Sequence, residues 1–202
     1  MVRFNIFIKS KKFRIDLNLL ILIVILFLWF CTFICSKINS DLEKKANALF
    51  AYIAVGIFIL GTARKLFMIA KPEKLHGKLE GFLEFRNDAI LIGENKIELS
   101  AVKELFIVND DYYMMPNGNG KGFTSSLSNG VQNELSLKLN DGTKITTSFQ
   151  LFNEYDMGKI QNILTHYYLS GKMTFENLAK VLKLSRSETS QMKNYFQNSH
   201  IL

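Results

Sequence analysis

Two long apolar runs near the start of the chain dominate its pattern of hydrophobic and polar positions. The first, LLILIVILFLWFCTFIC, extends from Leu19 to Cys35, and the second is uncharged from Ala46 to Ala63. Each run would span about 27 Å as a helix, close to the roughly 30 Å hydrocarbon thickness of a bilayer. No face of the helix over 21–30 carries a polar stripe. The pattern predicts a transmembrane helix hairpin over 17–70, with helices at about 17–36 and 46–69.

The charges beside these runs predict how the hairpin is oriented. Five basic residues and one acidic residue precede the first helix, the same numbers follow the second, and the loop 37–45 has a net charge of +1. The positive-inside rule therefore places both termini in the cytoplasm and a nine-residue loop outside. We expect a multi-pass protein of the cell inner membrane, in contact with the lipid bilayer through two helices.

After Pro72 the apolar period changes from helical to two, which is typical of strands. Two segments, Val131 to Leu139 and Thr143 to Leu151, show the alternation most clearly. Directly opposite residues must share a face, so parity favours a three-residue loop, 140–142, which pairs Leu139 with Thr143 and leaves Gly142 left-handed. Further strands are predicted at 79–86, 89–92, 96–99 and 102–108.

One helix is predicted to cover this sheet of about seven strands. Asn153 is a candidate cap, and an apolar stripe follows at helical spacing through Met157, Ile160, Leu164 and Tyr167. The stretch MTFENLAKVLKLSRSETSQMKNYF then predicts two shorter helices, the second opened by a capping box. We divide the chain into a basic N-terminal segment 1–16, the hairpin 17–70, a sheet domain 77–169 and a helical appendage 172–202.

The order of these elements resembles the pleckstrin-homology (PH) fold, an antiparallel barrel capped by one C-terminal helix. Three stretches, FNIFIKSKKFRIDL, SNGVQNELSLKLNDGTKITTSFQLFNE and ILTHYYLSGKMTFENLAKVLKLS, flank or follow the two helices. In this arrangement the chain is similar to bacterial membrane-anchored proteins with a PH-like domain, a mostly uncharacterised family. The resemblance implies an α+β fold, a two-helix anchor followed by a PH-like barrel.

The N-terminal segment is a candidate strand. Apolar Val2, Phe4, Ile6 and Ile8 alternate with other residues over 2–8. Both termini are expected on one side of the membrane, so this segment could pair with the barrel of its own chain or with that of a neighbouring chain.

A glycine-rich stretch, MMPNGNGKGF, invites comparison with a phosphate-binding loop. Walker A requires GxxxxGK[ST] between a strand and a helix, but Met115 stands where the first glycine belongs and Gly122 follows Lys121. The stretch predicts a flexible connection between strands, too poor in basic residues for a polyanionic headgroup. The candidate partner contacts are the apolar and aromatic residues just before it: Tyr112, Tyr113, Met114 and Met115.

DNA binding is the alternative function. The C-terminal helix pair has a helix-turn-helix appearance, and residues 172–193 hold five basic and two acidic residues. Thr189 argues against it, because an apolar residue normally fixes the second helix at that position. In a DNA reader the second helix would expose Arg186, Gln191, Lys193 and Asn194.

The remaining composition points away from chemistry. The net charge of +7 divides into +8 over residues 1–76, with twelve basic and four acidic residues, and −1 over 77–202, with thirteen and fourteen. This places the basicity beside the membrane, where it suits anionic lipid. The two cysteines lie in the first apolar run, and the three histidines share no spacing with carboxylates. We expect a non-catalytic binding or scaffolding protein with no cofactor, metal or small-molecule substrate, an unidentified protein partner, and no nucleic acid in the first interpretation.

Overall fold

A computed structural model describes residues 2–12, 17–38, 40–116 and 127–199. The chain divides into two compact units, each described here by itself. The β domain contains residues 1–10, 74–115 and 128–202, and the helical unit contains 11–73 and 116–127.

Two long helices, α1 (Leu17–Ile38) and α2 (Ser40–Met68), pack against each other in the helical unit. Both are long and apolar enough to cross a membrane by length and composition. The helix α2 begins six residues before the predicted start at 46, so the predicted loop 37–45 is helical except for residue 39, which is outside the described part. The apolar run shows only how long the hydrophobic part of the helix is. The helix itself begins earlier, because Asp41 and Glu43 in its first turn are favourable at the positive end of the helix dipole.

Seven strands of the β domain form one antiparallel sheet in the order β4-β3-β2-β1-β9-β8-β5. A separate two-stranded sheet joins β6 to β7. The strands are β1 (Arg3–Lys9), β2 (Gly77–Phe85), β3 (Ala89–Ile92), β4 (Asn95–Glu98), β5 (Val102–Val108), β6 (Tyr113–Pro116), β7 (Leu127–Asn129), β8 (Asn133–Leu139) and β9 (Lys144–Phe149).

The strand β1 lies at the centre of the sheet. It pairs with β2 on one side, with Phe4 opposite Leu83, and with β9 on the other, with Ile6 opposite Phe149. Phe4 and Ile6 point into the core, so the alternation over 2–8 indicated a strand correctly. The sequence left open whether this strand pairs within its own chain or with a neighbouring chain. In the structure β1 pairs with the sheet of its own chain.

The sheet is rolled but not closed. β4 and β5 lie at opposite edges of the hydrogen-bonded order, although only a 3-10 turn, Leu99–Ala101, separates them in the chain. Glu98 and Val102 can therefore be at most about 15 Å apart. The outer strands of a flat seven-stranded sheet would be about 29 Å apart. The sheet must curl strongly to bring its edges this close, but its hydrogen-bonded order is not closed, so the PH-like barrel that the resemblance implies stays a prediction.

The predicted hairpin between β8 and β9 is confirmed. The amide of Leu139 donates to the carbonyl of Thr143 over 2.8 Å, and Leu137 lies opposite Ile145. Gly142 has a φ of +89°, the left-handed conformation expected for the end of a three-residue loop.

The helix α3 (Gln161–Leu169) follows a 3-10 turn at Asp156–Ile160. The predicted cap at Asn153 is wrong. The Asp156 carboxylate instead accepts the amides of Phe152 and Asn153, over 2.9 and 2.8 Å, because its position reaches both donors. The predicted stripe is buried, and the Tyr167 hydroxyl donates to the carbonyl of Arg86 over 2.6 Å. Burial raises the pKa of Tyr167, so this hydroxyl stays protonated.

The helices α4 (Phe175–Val181) and α5 (Arg186–Ser199) belong to the β domain rather than forming an appendage. The Asn177 side chain accepts the amide of Ile107 over 3.0 Å and donates to its carbonyl over 2.8 Å, as a neighbouring strand would. The amide of Leu105 donates to the carbonyl of Lys172 over 2.7 Å. The segment around α4 thus covers the free edge of β5, an edge that would otherwise be open to pairing with another chain.

We predict that Asn177→Leu destabilises the β domain by about 3 kcal/mol, because it leaves two buried backbone groups of Ile107 unpaired. Denaturant unfolding of the full chain in detergent, followed by circular dichroism, measures the change. Asn198→Leu, at an exposed position of α5, is the matched control. Equal stability of the two variants would contradict the edge-covering role of Asn177.

An ion cluster joins β1 to β2. The Glu84 carboxylate, 3% exposed, accepts from Arg3 Nε over 2.9 Å and from Arg86 Nε over 2.5 Å. The hydrogen bond from Arg86 lowers the pKa of Glu84, burial raises it, and the Arg3 guanidinium lowers it, for a net decrease from 4.5. The folded state therefore favours the ionised carboxylate.

Stabilisation by Glu84 should accordingly be complete above pH 4.5 and be lost as the pH falls through the lowered folded pKa. We predict that Glu84→Gln costs about 2 kcal/mol at pH 7 and reduces the loss of stability on acidification. Unfolding measured from pH 7 to pH 3 tests both effects. The control Glu80→Gln, which removes the exposed ion pair of Glu80 with Lys78, should change the free energy of unfolding little. If the stability of Glu84→Gln depended on pH in the same way as that of the wild type, the role of the Glu84 carboxylate would be refuted.

Candidate partner-binding surface

The predicted contact residues Tyr112 to Met115 lie at the end of the β domain where β6 begins. Tyr112 is half-buried against the hydrophobic core, and Met115 is also half-buried. Tyr113 and Met114 are each 37% exposed. Of the four residues, Tyr112 packs against the core, Met115 is partly exposed, and Tyr113 and Met114 are the more accessible pair. The glycine-rich connection that follows, with Lys121, falls on 117–126, outside the described residues.

Tyr113 forms an exposed aromatic pair with Phe152. Their ring centroids are 6.0 Å apart and tilted by 53°, and Phe152 is 53% exposed. We call Tyr113, Met114 and Phe152 the aromatic surface. Aromatic rings supply large contact areas at low entropic cost, which makes such a cluster suitable for binding a protein.

The backbone beneath the aromatic surface is fixed by hydrogen bonds. The Tyr113 amide donates to the carbonyl of Leu151, and the Leu151 amide donates to the carbonyl of Gly130, over 2.8 and 2.9 Å. Gly130 has a φ of +70°, and a Cβ there would lie 2.2 Å from the Leu151 oxygen. Only glycine fits where these three segments meet, so Tyr113 is held by a close backbone contact.

Buried polar side chains support the same region. Asn133 accepts the Asp111 amide over 3.1 Å and donates to the carbonyls of Gly130 and Phe149. The Asp111 carboxylate accepts the Gln132 amide over 2.9 Å. These bonds satisfy buried polar groups and position the segment that leads into Tyr113.

An ion cluster precedes the aromatic surface. Asp110 contacts Lys183 over 3.1 Å and Lys180 over 3.2 Å. Burial raises the pKa of Asp110, but Lys183 and Lys180 together lower it by more, so the pKa of Asp110 is below its usual value. The cluster ties the end of β5 to the end of α4.

The backbone of Met114 is strained. Its φ of +67° lies in the left-handed region, which costs a non-glycine residue about 1–2 kcal/mol. Strained residues cluster at functional sites because surrounding contacts must hold them. Met114, which follows Tyr113 in the chain, therefore combines a left-handed backbone with an exposed side chain.

The alternative nucleic-acid residues all lie on α5. Arg186, Gln191, Lys193 and Asn194 are exposed. The predicted capping box is present: the Ser185 amide donates to Glu188 Oε2 over 2.8 Å, and the Glu188 amide donates to Ser185 Oγ over 3.3 Å. The box lowers the pKa of Glu188.

Contacts hold α5 in place despite Thr189, which is half-buried and donates to the carbonyl of Ser185 over 2.8 Å. Phe196 is buried against Tyr168 and Phe175, with ring centroids 5.0 and 6.3 Å away. The helix pair is thus part of the domain core, and DNA binding by its outer face stays a prediction.

A shallow depression of about 300 Å³ lies on the outer face of β5, β8 and β9. Phe106, 46% exposed, is its apolar centre, beside Glu104, Lys138 and Lys144. The side chains around it carry both charge signs, so the depression selects neither an anion nor a cation.

Phe152 and Phe106 are candidate contacts that the sequence patterns did not indicate. Phe106 is an apolar residue at an outward position of β5, because its neighbours Leu105 and Ile107 point inward. Strand parity could therefore have found Phe106. Phe152 lies beyond the end of β9 at Phe149, so parity does not apply to it. Within the described ranges, no three His, Cys, Asp or Glu side chains converge as metal ligands.

Comparisons with protein-family models, curated proteins and solved structures find no match to this chain. The resemblance to bacterial membrane-anchored PH-like proteins therefore stays a prediction. The coarse architecture stands on the structure alone: two long apolar helices, an antiparallel seven-stranded sheet and C-terminal helices.

Proposed function

We propose that this protein is a membrane-anchored, non-catalytic binding or scaffolding protein that presents a PH-like domain at the cytoplasmic face of the inner membrane. The pairing of β1 with β2 supports the proposal most. These strands precede and follow the two apolar helices, yet they are neighbours in one sheet. An even number of crossings is the arrangement that leaves both strands on one side of a bilayer.

The surface of α1 supports membrane insertion. Phe27, Trp29 and Phe30 are 64%, 64% and 55% exposed, although successive helical positions turn by about 100°. Apolar side chains exposed in so many directions suit lipid rather than water. The hydroxyls of Thr32, Ser36 and Thr62 donate to carbonyls of their own helices over 2.8 Å, so these groups need no water.

The charge distribution supports the orientation. Basic residues concentrate before α1 and after α2, and the positive-inside rule assigns such segments to the cytoplasm. The rolled sheet, covered at one edge by α4, agrees with the PH-like architecture that the sequence resemblance implies.

The aromatic surface is the part that we assign to partner binding. Tyr113, Met114 and Phe152 combine exposed apolar area with a backbone held by Gly130 and Leu151. A rigid, preformed apolar patch loses little entropy on binding. Its chemistry fits an apolar surface of another protein.

We predict that Trp29 fluorescence is quenched by lipid brominated in the middle of its acyl chains. Trp29 is the only tryptophan and lies about 2 Å from the midpoint of α1 along the helix axis. The full chain is reconstituted in vesicles, and lipids brominated near the headgroup serve as the control. Stronger quenching by the control lipid, or none by either, would contradict insertion of α1 across the bilayer.

We further predict that a photoreactive phenylalanine analogue at Tyr113 crosslinks the full chain to a defined protein in native membranes. The same analogue at Tyr195, 69% exposed on α5, is the matched control. Adding Phe152→Ser should abolish the crosslink, because it removes the ring beside Tyr113. Identical products from both positions would remove the aromatic surface as the binding site.

A further inference from the structure

The ends of β1 and β2 carry exposed apolar residues that no core contact explains. Phe7 lies opposite Leu79, and Ile8 lies opposite Lys78 in the next pair. Ile8 is 44% and Leu79 is 39% exposed, while Phe7 is half-buried. We call Phe7, Ile8 and Leu79 the β1–β2 rim.

The Phe7 ring lies across Gly77. A Cβ built at Gly77 would come within 2.6 Å of that ring. The absent side chain leaves room for the ring. Phe7 and Leu79 are paired residues at the same end of the sheet, so they present adjacent apolar area there.

Lysines surround the β1–β2 rim in sequence. Residues 9–12 and 71–78 together contain six lysines and one acidic residue, Glu73. Lys9, Lys74 and Lys78 are exposed, and Lys78 forms an ion pair with Glu80. Apolar side chains beside excess positive charge complement an anionic lipid surface, where each lysine contributes about 1 kcal/mol.

Short connections also limit the distance between the rim and the membrane helices. Seven residues, 10–16, separate Lys9 from α1, and eight, 69–76, separate α2 from Gly77. A chain of that length spans at most about 30 Å even when fully extended. If α1 and α2 cross a bilayer, these strand ends are the ends of β1 and β2 that continue directly into the membrane-spanning segments.

We propose that the β1–β2 rim contacts the anionic headgroup layer, with Ile8 and Leu79 entering its apolar boundary and Lys9 and Lys74 facing lipid phosphates. This inference rests on the proposed membrane anchor. Its consequence is that the β domain sits on the bilayer in a fixed orientation, with the rim buried in lipid.

The experiment uses the full chain with Trp29→Phe, so that one introduced tryptophan reports alone. Leu79→Trp is compared with Phe106→Trp, whose site is 46% exposed on β5, three strands from β1. Vesicles contain phosphatidylcholine and phosphatidylglycerol, with bromine on the methylenes nearest the headgroup. We expect Leu79→Trp to lose most of its emission and shift to shorter wavelength, and Phe106→Trp to retain both.

A charge variant tests the electrostatic part. Lys9→Gln with Lys74→Gln should weaken lipid contact at Leu79→Trp by about thirtyfold, and omission of phosphatidylglycerol should do the same. Quenching that is unchanged in both cases would overturn the assignment of these lysines.

The outcomes separate this proposal from the anchor. Quenching of native Trp29 by mid-chain bromine without quenching of Leu79→Trp overturns the rim contact and leaves the anchor intact. Absence of both signals overturns both. Equal quenching of Leu79→Trp and Phe106→Trp also overturns the assignment, because the contact would not be specific to the rim, and protection of Leu79→Trp from lipid by a bound protein would count against it equally.

Discussion

The pairing of β1 between β2 and β9 is the interaction on which the rest of the structure depends. Without β1, the hydrogen-bonded order would break into β4-β3-β2 and β9-β8-β5, and Phe4 and Ile6 would leave the core. The buried Glu84 carboxylate, bound by Arg3, fixes the register across the same junction. A fragment that begins at residue 77 therefore lacks the centre of its own sheet.

The two edge strands of the sheet, β4 and β5, are each protected from pairing with another chain. β5 is covered by Asn177, whose amide imitates a strand, and β4 is only four residues long with Lys96 and Glu98 on its exposed positions. Short, charged edges resist pairing with other chains. The sheet is open, but its edges are protected from pairing with other chains, as they are in a closed barrel.

Local sequence patterns predicted much of this fold. Parity at Leu139 and Thr143 was sufficient for the β8–β9 turn, and the Ser185–Glu188 spacing was sufficient for the cap of α5. Contacts between residues far apart in the chain could not be predicted from the sequence. Nothing in the residues around Asn177 indicates that its side chain bonds to the backbone of Ile107. The cap at Asn153 was wrong for a different reason: the Asp156 carboxylate accepts the backbone amides of Phe152 and Asn153 themselves, and the turn that follows begins after Tyr155. At the aromatic surface, Tyr113 was predicted because its segment is unusually apolar and aromatic for a loop. Its partner Phe152 could be recognised only from the ring contact in the structure.

The central position of β1 sets an order on the synthesis of the chain. β1 leaves the ribosome first, but its second partner begins at Lys144, 135 residues after Lys9. At translation speeds of about 5–20 residues per second this delay is on the order of ten seconds. In the proposed arrangement both helices are made before β2, which begins at Gly77 and is the first partner that β1 can pair with. The sheet is then completed only after both helices have been made, and in the proposed arrangement the hairpin is what returns the chain to the side of the membrane where β1 lies.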